Sequence, residues 1–540
     1  LAEKKSTELV ANWETLQRIF IRPEDEASRR ALVKYMEQIL FGLHEFLGNH
    51  VGITREASLE ELSERFKESW ICDHPQKKLA DVIKGIIENI APHAVNVASP
   101  YFIGHMTSAI PFFMVHLHTI TAALNQNVVK IETSKVVSII ERQVLAKLHR
   151  LIYANSGAFY DAHIQSPDST FGGFLDDGTL ANLTAMWVAR NRCFKPKERF
   201  RGIEVEGIVA AQKAYGVDRS VILVSGLAHY SLRKAGGVLG IGNENVILVP
   251  SGGGNRMDPE RLEAMIRNLK AATPRTRILA VVAIAGATET GTVDPLDAIA
   301  DVCAREELHF HVDAAWGGPT LLSDKYRYLL KGIDRADSVT IDGHKQFYMP
   351  MGCGMVFFRD PGIMDLIAYH AAYINRRGSV DLGIRSLEGS RPAASLVLGS
   401  ALEIMGTCGY ALLIEHGIET ARAFADEINR RPLFELVTPP ELNILTYRIF
   451  PEEVRQQWMG VGASERARLI QQVNHLNIAV QRIQRETGNS FVSRTTLNHL
   501  GEKVVVLRAV IMNPMTHIGI LREILDEQEN IYRGQAALKA

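Results

Sequence analysis

The run FHVDAAWGG at residues 310–318 decides the fold. An apolar stretch delivers Asp313, two alanines follow, and Gly317-Gly318 open a turn. A short apolar strand ending on a carboxylate belongs in an open parallel sheet, whose C-terminal strand ends face ligand. An ionised Asp is costly to bury alone there. Asp313 either caps the next turn or pairs with a cation, and a protonated pyridine nitrogen is one cation that makes chemical sense.

The surrounding chain has the rhythm this requires. Short β-branched runs are expected as strands at 221–225, 246–249, 279–285, 309–313, 338–341 and 355–358, separated by spans of helical character. Asp258-Pro259 reads as an N-cap with proline at N1, and Asp294-Pro295 repeats the device. Strands alternating with capped helices give βαβ units and a largely parallel sheet covered on both faces. Helices are expected over 28–47, 57–70 and 136–152 on the N-terminal side. After Gly389-Ser390-Arg391 the pattern changes to long helices at 392–405 and 410–429. Extended runs LNILTYRIF (442–450) and VVVLRAVIM (504–512) then flank a helix around 463–486. The division is an N-terminal helical segment (1–95), a large α/β domain (96–390) and a small α+β domain (391–540).

Composition narrows the function classes. The 540 residues suffice for three to four domain-sized units, at about 150 residues each. The formal net charge of -1 argues against a nucleic-acid role, because phosphate backbones select strongly basic faces. No run of about 18 apolar residues exists, so no spanning helix is expected. Cys72, Cys193, Cys303, Cys353 and Cys408 are scattered and odd in number, which points to a reduced, cytoplasmic protein. The His116/His118 and His309/His311 pairs have no accompanying ligand set at metal spacing, so no metal is expected.

Four further segments carry chemistry. In SVTIDGHKQF (338–347), Lys345 follows a strand and lies 32 residues beyond Asp313, so one βαβ unit brings both to the same rim. A partly neutral lysine there forms a Schiff base, whereas a surface lysine does nothing. In GFLDDGTLANLTAMWVAR (173–190), Gly178 and Thr179 open a helix whose free N–H groups suit a phosphate or an ordinary threonine cap. Neither a Walker lysine nor GxGxxG is present, which disfavours nucleotides. His229 in LVSGLAHYSLRKAGG (223–237) either stacks on a planar group or bonds to backbone. In AIAGATETGTVDPLD (283–297), Gly286 and Gly291 permit close backbone approach beside Thr288.

Together HVDAAWGG, DSVTIDGHK, GTLAN and AHYS resemble the group II pyridoxal-phosphate decarboxylases, over roughly residues 95–520. The resemblance implies a fold-type I transferase architecture, a pyridoxal 5'-phosphate cofactor and a homodimer. It implies that Lys345 binds the cofactor aldehyde, Asp313 pairs with the ring nitrogen and His229 stacks on the ring. Gly178, Thr179, the Leu180 backbone and His344 would seat the phosphate, while Thr288 and Ala315 would line the ring. Asp177 stands where family members show a glycine, so its carboxylate must turn away or find donors.

The resemblance is strongest to the acidic-amino-acid branch. Aspartate giving β-alanine and CO₂, for pantothenate and coenzyme A synthesis, is the expected reaction. Glutamate and cysteine sulfinate are the alternative substrates, and another pyridoxal-phosphate carbon–carbon lyase or a non-catalytic relative are the rival classes. Tyr373 resembles the loop tyrosine that protonates Cα, and Arg508 the arginine that grips the α-carboxylate. Locally, Arg508 on an apolar strand already demands an anionic partner. His105 and Gln126 either contact the side-chain carboxylate or satisfy buried backbone. Arg391 is expected to be structural.

Overall fold

The computed structural model describes residues 26–48, 58–371 and 378–537. Its centre is a seven-stranded sheet of β1 (Gly172–Leu175), β2 (Arg219–Val224), β3 (Val246–Leu248), β4 (Thr276–Ile284), β5 (His309–Asp313), β6 (Ser338–Asp342) and β7 (Gly354–Phe358). The strand order is β1-β7-β6-β5-β4-β2-β3. β7 runs antiparallel to β1 and β6, and the other pairs are parallel. Alternation sends Val221, Leu223, Val281 and Ala283 into one apolar layer, and Ile222, Val224, Ala280 and Val282 into the other.

A second, antiparallel sheet comprises β8 (Phe434–Thr438), β9 (Ile444–Ile449), β10 (Ser493–His499) and β11 (Glu502–Val510), in the order β10-β11-β9-β8. The helices Ala463–Thr487 and Ile518–Ala537 pack together beside it. Residues 101–103 join this layer from far upstream. The Ile103 amide donates to the Phe491 carbonyl, and the Val510 amide donates to the Ile103 carbonyl.

Three local features depart from the expectations. β1 was not foreseen, because GGFL lacks β-branched residues. Gly172 sits at φ +151, where an added Cβ would come within 1.9 Å of the Val356 carbonyl oxygen on β7. The helices expected at 392–405 and 410–429 form one element, Ala394–Arg430, interrupted only by non-helical Gly406. By length and composition alone this helix could cross a membrane. Here it packs Val397, Leu398, Ala401, Ile414 and Ile418 into one apolar cluster and Ala421, Phe424 and Ile428 into another, as a core helix does. Asp294 is not an N-cap: Pro295 holds that position without a side-chain bond. Asp294 is buried, accepting from the amides of Met257 (2.7 Å) and Ile284 (2.8 Å).

Arg391 holds the junction. Its guanidinium donates bidentately to Glu141 at 2.8 and 2.5 Å, with both side chains almost fully buried. Burial lifts neighbouring Glu388 to about 7, against the pull of Arg391. Glu141→Ala removes the bidentate partner of a buried guanidinium and leaves it only Glu388, 3.7 Å from its Nε, a loss of about 3–5 kcal/mol. Urea unfolding of that variant is expected to show a lowered midpoint, with Glu141→Ala/Arg391→Met recovering part of it.

Candidate active site

The C-terminal ends of β4, β5 and β6, the start of the helix Gly178–Cys193 and β11 enclose a cavity of about 270 Å³. Asp313, Lys345, His229, Gly178, Thr179, Thr288, Ala315, His344, Arg508 and His105 all line it. Leu180 does not line it. Its amide is taken by the Asp177 carboxylate at 2.9 Å, and Asp177 is thereby the helix N-cap. The cap gives the acidic side chain one backbone donor and occupies the Leu180 N–H, while Asp177 still lines the cavity. Gln126 also lies outside the cavity and donates to the Leu124 carbonyl at 2.7 Å. Tyr373 falls outside the described residues.

Asp313 is only 6% exposed and is held by donors on both oxygens. Asn182 Nδ2 donates to Oδ2 at 2.9 Å and the Ala315 amide to Oδ1 at 3.2 Å. Asn182 was within the GTLAN motif but carried no role in the sequence reading. One signal was available, since it sits on the same helix turn as Thr179.

Asp342 was likewise missed. It ends β6, and its Oδ2 pairs with Lys345 Nζ at 2.9 Å, while Oδ1 is buried without a hydrogen-bond partner. It also lies 3.6 Å from His344 Nε2. His344 Nδ1 sits 2.9 Å from the Cys353 carbonyl and 3.4 Å from the Cys353 amide, and Nε2 turns toward Asp342. A Cβ at Gly178 would meet Asp342 Oδ2 at 2.9 Å, so only glycine lets this helix start approach the lysine's counter-ion.

Arg508 is a largely buried guanidinium on β11 with no ion pair among the described residues, where its Nε also lacks a hydrogen-bond partner. Burial lowers its pKa, with Glu289 opposing. Glu289 was not foreseen; burial raises its pKa, with Arg508 pulling the other way, and its Oε2 is also unpartnered. His105 is held below its ordinary pKa by burial and by the cations Arg508 and Lys345, which places all three groups around one space. Burial likewise depresses His229, so its ring presents a neutral face.

The cavity thus holds an amine, a carboxylate fixed by two donors, a helix N-terminus and an unpaired guanidinium. Comparison with known families decides which group this set serves. Residues 63–450 match the model described as the pyridoxal-dependent decarboxylase conserved domain. The chain belongs to that family.

Similarity to individual decarboxylases extends further. The chain is 44% identical over 524 residues to the aspartate 1-decarboxylase of Aliivibrio fischeri, covering 96% of this chain and 95% of that protein. It is 30% identical over 395 residues to the human acidic amino acid decarboxylase GADL1, covering 72% and 70% respectively. The crystal structure of mouse CSAD in apo form superposes with a TM-score of 0.78 at 25% identity, covering 92% of this chain and 99% of that one. The decarboxylase fold and its pyridoxal 5'-phosphate cofactor follow. The residues fit that group: the buried, doubly held Asp313 suits a cationic ring nitrogen, Lys345 an aldehyde, and the Gly178–Thr179 helix start a phosphate.

Proposed function

We propose that this decarboxylase converts L-aspartate to β-alanine and CO₂. The observation that carries the reading is Arg508, a largely buried guanidinium that lines the cavity, forms no ion pair among the described residues and feels only the more distant pull of Glu289. Likeness along nearly the whole chain to an aspartate 1-decarboxylase supports the choice of acid.

Bound pyridoxal phosphate supplies the electron sink for the pair left on Cα when CO₂ departs. Lys345 Nζ would hold its aldehyde, and Asp342 Oδ2, 2.9 Å from Nζ, would steady that amine. Asp313 would keep the ring nitrogen protonated, and His229 would cover the ring. The Gly178 and Thr179 amides, with His344, would hold the phosphate, and Thr288 and Ala315 would border the ring. Arg508 fixes the α-carboxylate, which orients the bond to be broken. His105 flanks the side-chain carboxylate, and Tyr373 returns a proton to Cα.

The cofactor domain in this reading is 96–390, with 391–540 as the smaller domain, in a cytoplasmic homodimer. The helix Phe112–Leu124 supports a second copy: Phe112 is 78% exposed, and Val115, Ile120 and Leu124 are exposed with it. Gln126 follows that helix directly and would lie at the same interface.

The test is a product assay with aspartate, glutamate, cysteine sulfinate and an aromatic amino acid. One methylene separates aspartate from glutamate, worth about 1–3 kcal/mol, so kcat/KM should favour aspartate by roughly 10- to 200-fold. Equal or faster turnover of another acid overturns the assignment.

A further inference from the structure

The two histidines of β5 have no part in the mechanism above, yet they lie directly behind it. His309, His311 and Asp313 alternate along one strand, so their side chains share a face. His311 is in register with Ser338 on β6. Ser338 Oγ lies 2.8 Å from His309 Nε2 and 2.8 Å from His311 Nδ1. His311 Nε2 lies 3.0 Å from Asn182 Oδ1, and Asn182 Nδ2 reaches Asp313. At the far end, Arg192 Nη1 lies 3.5 Å from His309 Nδ1 and 3.3 Å from Asp337 Oδ2. Arg359 also pairs with Asp337, at 2.7 Å.

The direction of every bond follows from Asp313. A carboxylate only accepts, so the Asn182 group facing it is the amide nitrogen. Asn182 Oδ1 therefore faces His311, whose Nε2 must carry the proton. Burial depresses His311 to about 3 and His309 to about 4, so each ring has one proton. His311 Nδ1 is then bare and accepts from the Ser338 hydroxyl. Ser338, having given its proton, accepts from His309 Nε2, and His309 Nδ1 is left bare toward Arg192. Each neutral group donates toward the active site, and such aligned bonds polarise one another in a low-dielectric interior. The carboxamide has no proton to transfer, so Asn182 passes polarisation without passing a proton.

We propose that His309, Ser338 and His311 are positioning residues. Through Asn182 they form a one-way hydrogen-bond chain, from Arg192 at the N-terminal edge of β5, that holds Asp313 aligned with the cofactor ring nitrogen. The inference rests on the cofactor assignment and not on which acid is the substrate.

The experiment uses the full chain. Pyridoxal phosphate affinity is measured by equilibrium dialysis of the apoprotein, alongside kcat and KM of the holoenzyme, for wild type, His311→Phe, His311→Gln, Ser338→Ala and His311→Phe/Ser338→Ala. A hydrogen bond to a charged group sets the scale, so His311→Phe should weaken cofactor binding and lower kcat, each by about tenfold or more. KM should change less than about twofold, since the substrate-gripping Arg508 is untouched. His311→Gln retains an N–H for Asn182 and should recover most of both losses. Ser338→Ala, small enough to leave the fold intact, should move both readouts the same way by less. The double variant should be no worse than His311→Phe alone. Multiplying effects, unchanged cofactor affinity in Ser338→Ala and His311→Phe, or no rescue by glutamine overturns the chain. Wild-type protein that fails to bind pyridoxal phosphate would instead overturn the cofactor assignment.

Discussion

Lys345→Ala protein, loaded with pyridoxal phosphate and treated with borohydride, is expected to carry no covalent cofactor label and to turn over at least roughly 10⁴-fold more slowly than wild type. The loss has two origins. No amine remains to anchor the aldehyde, and none remains to release the product. Asp342, now lacking its partner at 2.9 Å, is left buried with only His344 Nε2, 3.6 Å from Oδ2, beside it. Lys345→Arg separates these origins. It restores a cation beside Asp342 without a nucleophilic amine, so it should recover thermal stability and none of the label. Label on another lysine in either variant would show that the anchor is misassigned. Mass spectrometry of the reduced, digested protein reads the outcome.

Asp313→Ala should retain the covalent label and lose about 10²- to 10³-fold in kcat, the scale of removing one preorganised electrostatic partner. In the proposed reading the carboxylate would stabilise positive charge on the ring nitrogen, and that charge would draw electrons from Cα. Asp313→Asn keeps the volume and can still accept from Asn182, but carries no charge. It should resemble alanine in rate and wild type in stability. Retained turnover in either variant would remove Asp313 from the electron-withdrawing role. Product analysis by chromatography, alongside cofactor absorbance, distinguishes slow decarboxylation from cofactor loss.

The sequence made the two ends of the cofactor site legible for a physical reason. Asp313 and Lys345 each follow an apolar strand by fixed, short offsets, and parallel strands deliver such residues to one rim. Strands β2 to β7 were readable because each is a compact apolar run between turns. What escaped notice depended on contacts across the fold. Asp342 sits in the same motif as Lys345, but only the approach of the Gly178 helix shows why a carboxylate belongs there. Asn182 and Glu289 gain meaning from partners 131 residues and more than 200 residues away in sequence. The family resemblance implied that the Leu180 amide binds phosphate. A neighbouring carboxylate took that donor, a competition that periodicity does not encode.

Asn443, just before β9, ties the two sheets together. Its Oδ1 accepts from Trp316 Nε1 at 2.9 Å, while its Nδ2 donates to Gln346 Oε1 at 3.3 Å and to the Ile511 carbonyl at 3.0 Å. Gln346 in turn donates to the Trp316 carbonyl at 2.8 Å. Trp316 stands three residues past Asp313, Gln346 adjoins Lys345, and Ile511 follows the strand that bears Arg508. One amide therefore staples the ring's acid, its amine and the carboxylate grip into a single rigid jig. The spacing between the three is therefore set by the packing of the two sheets, and a change at Asn443 would be felt at all of them together.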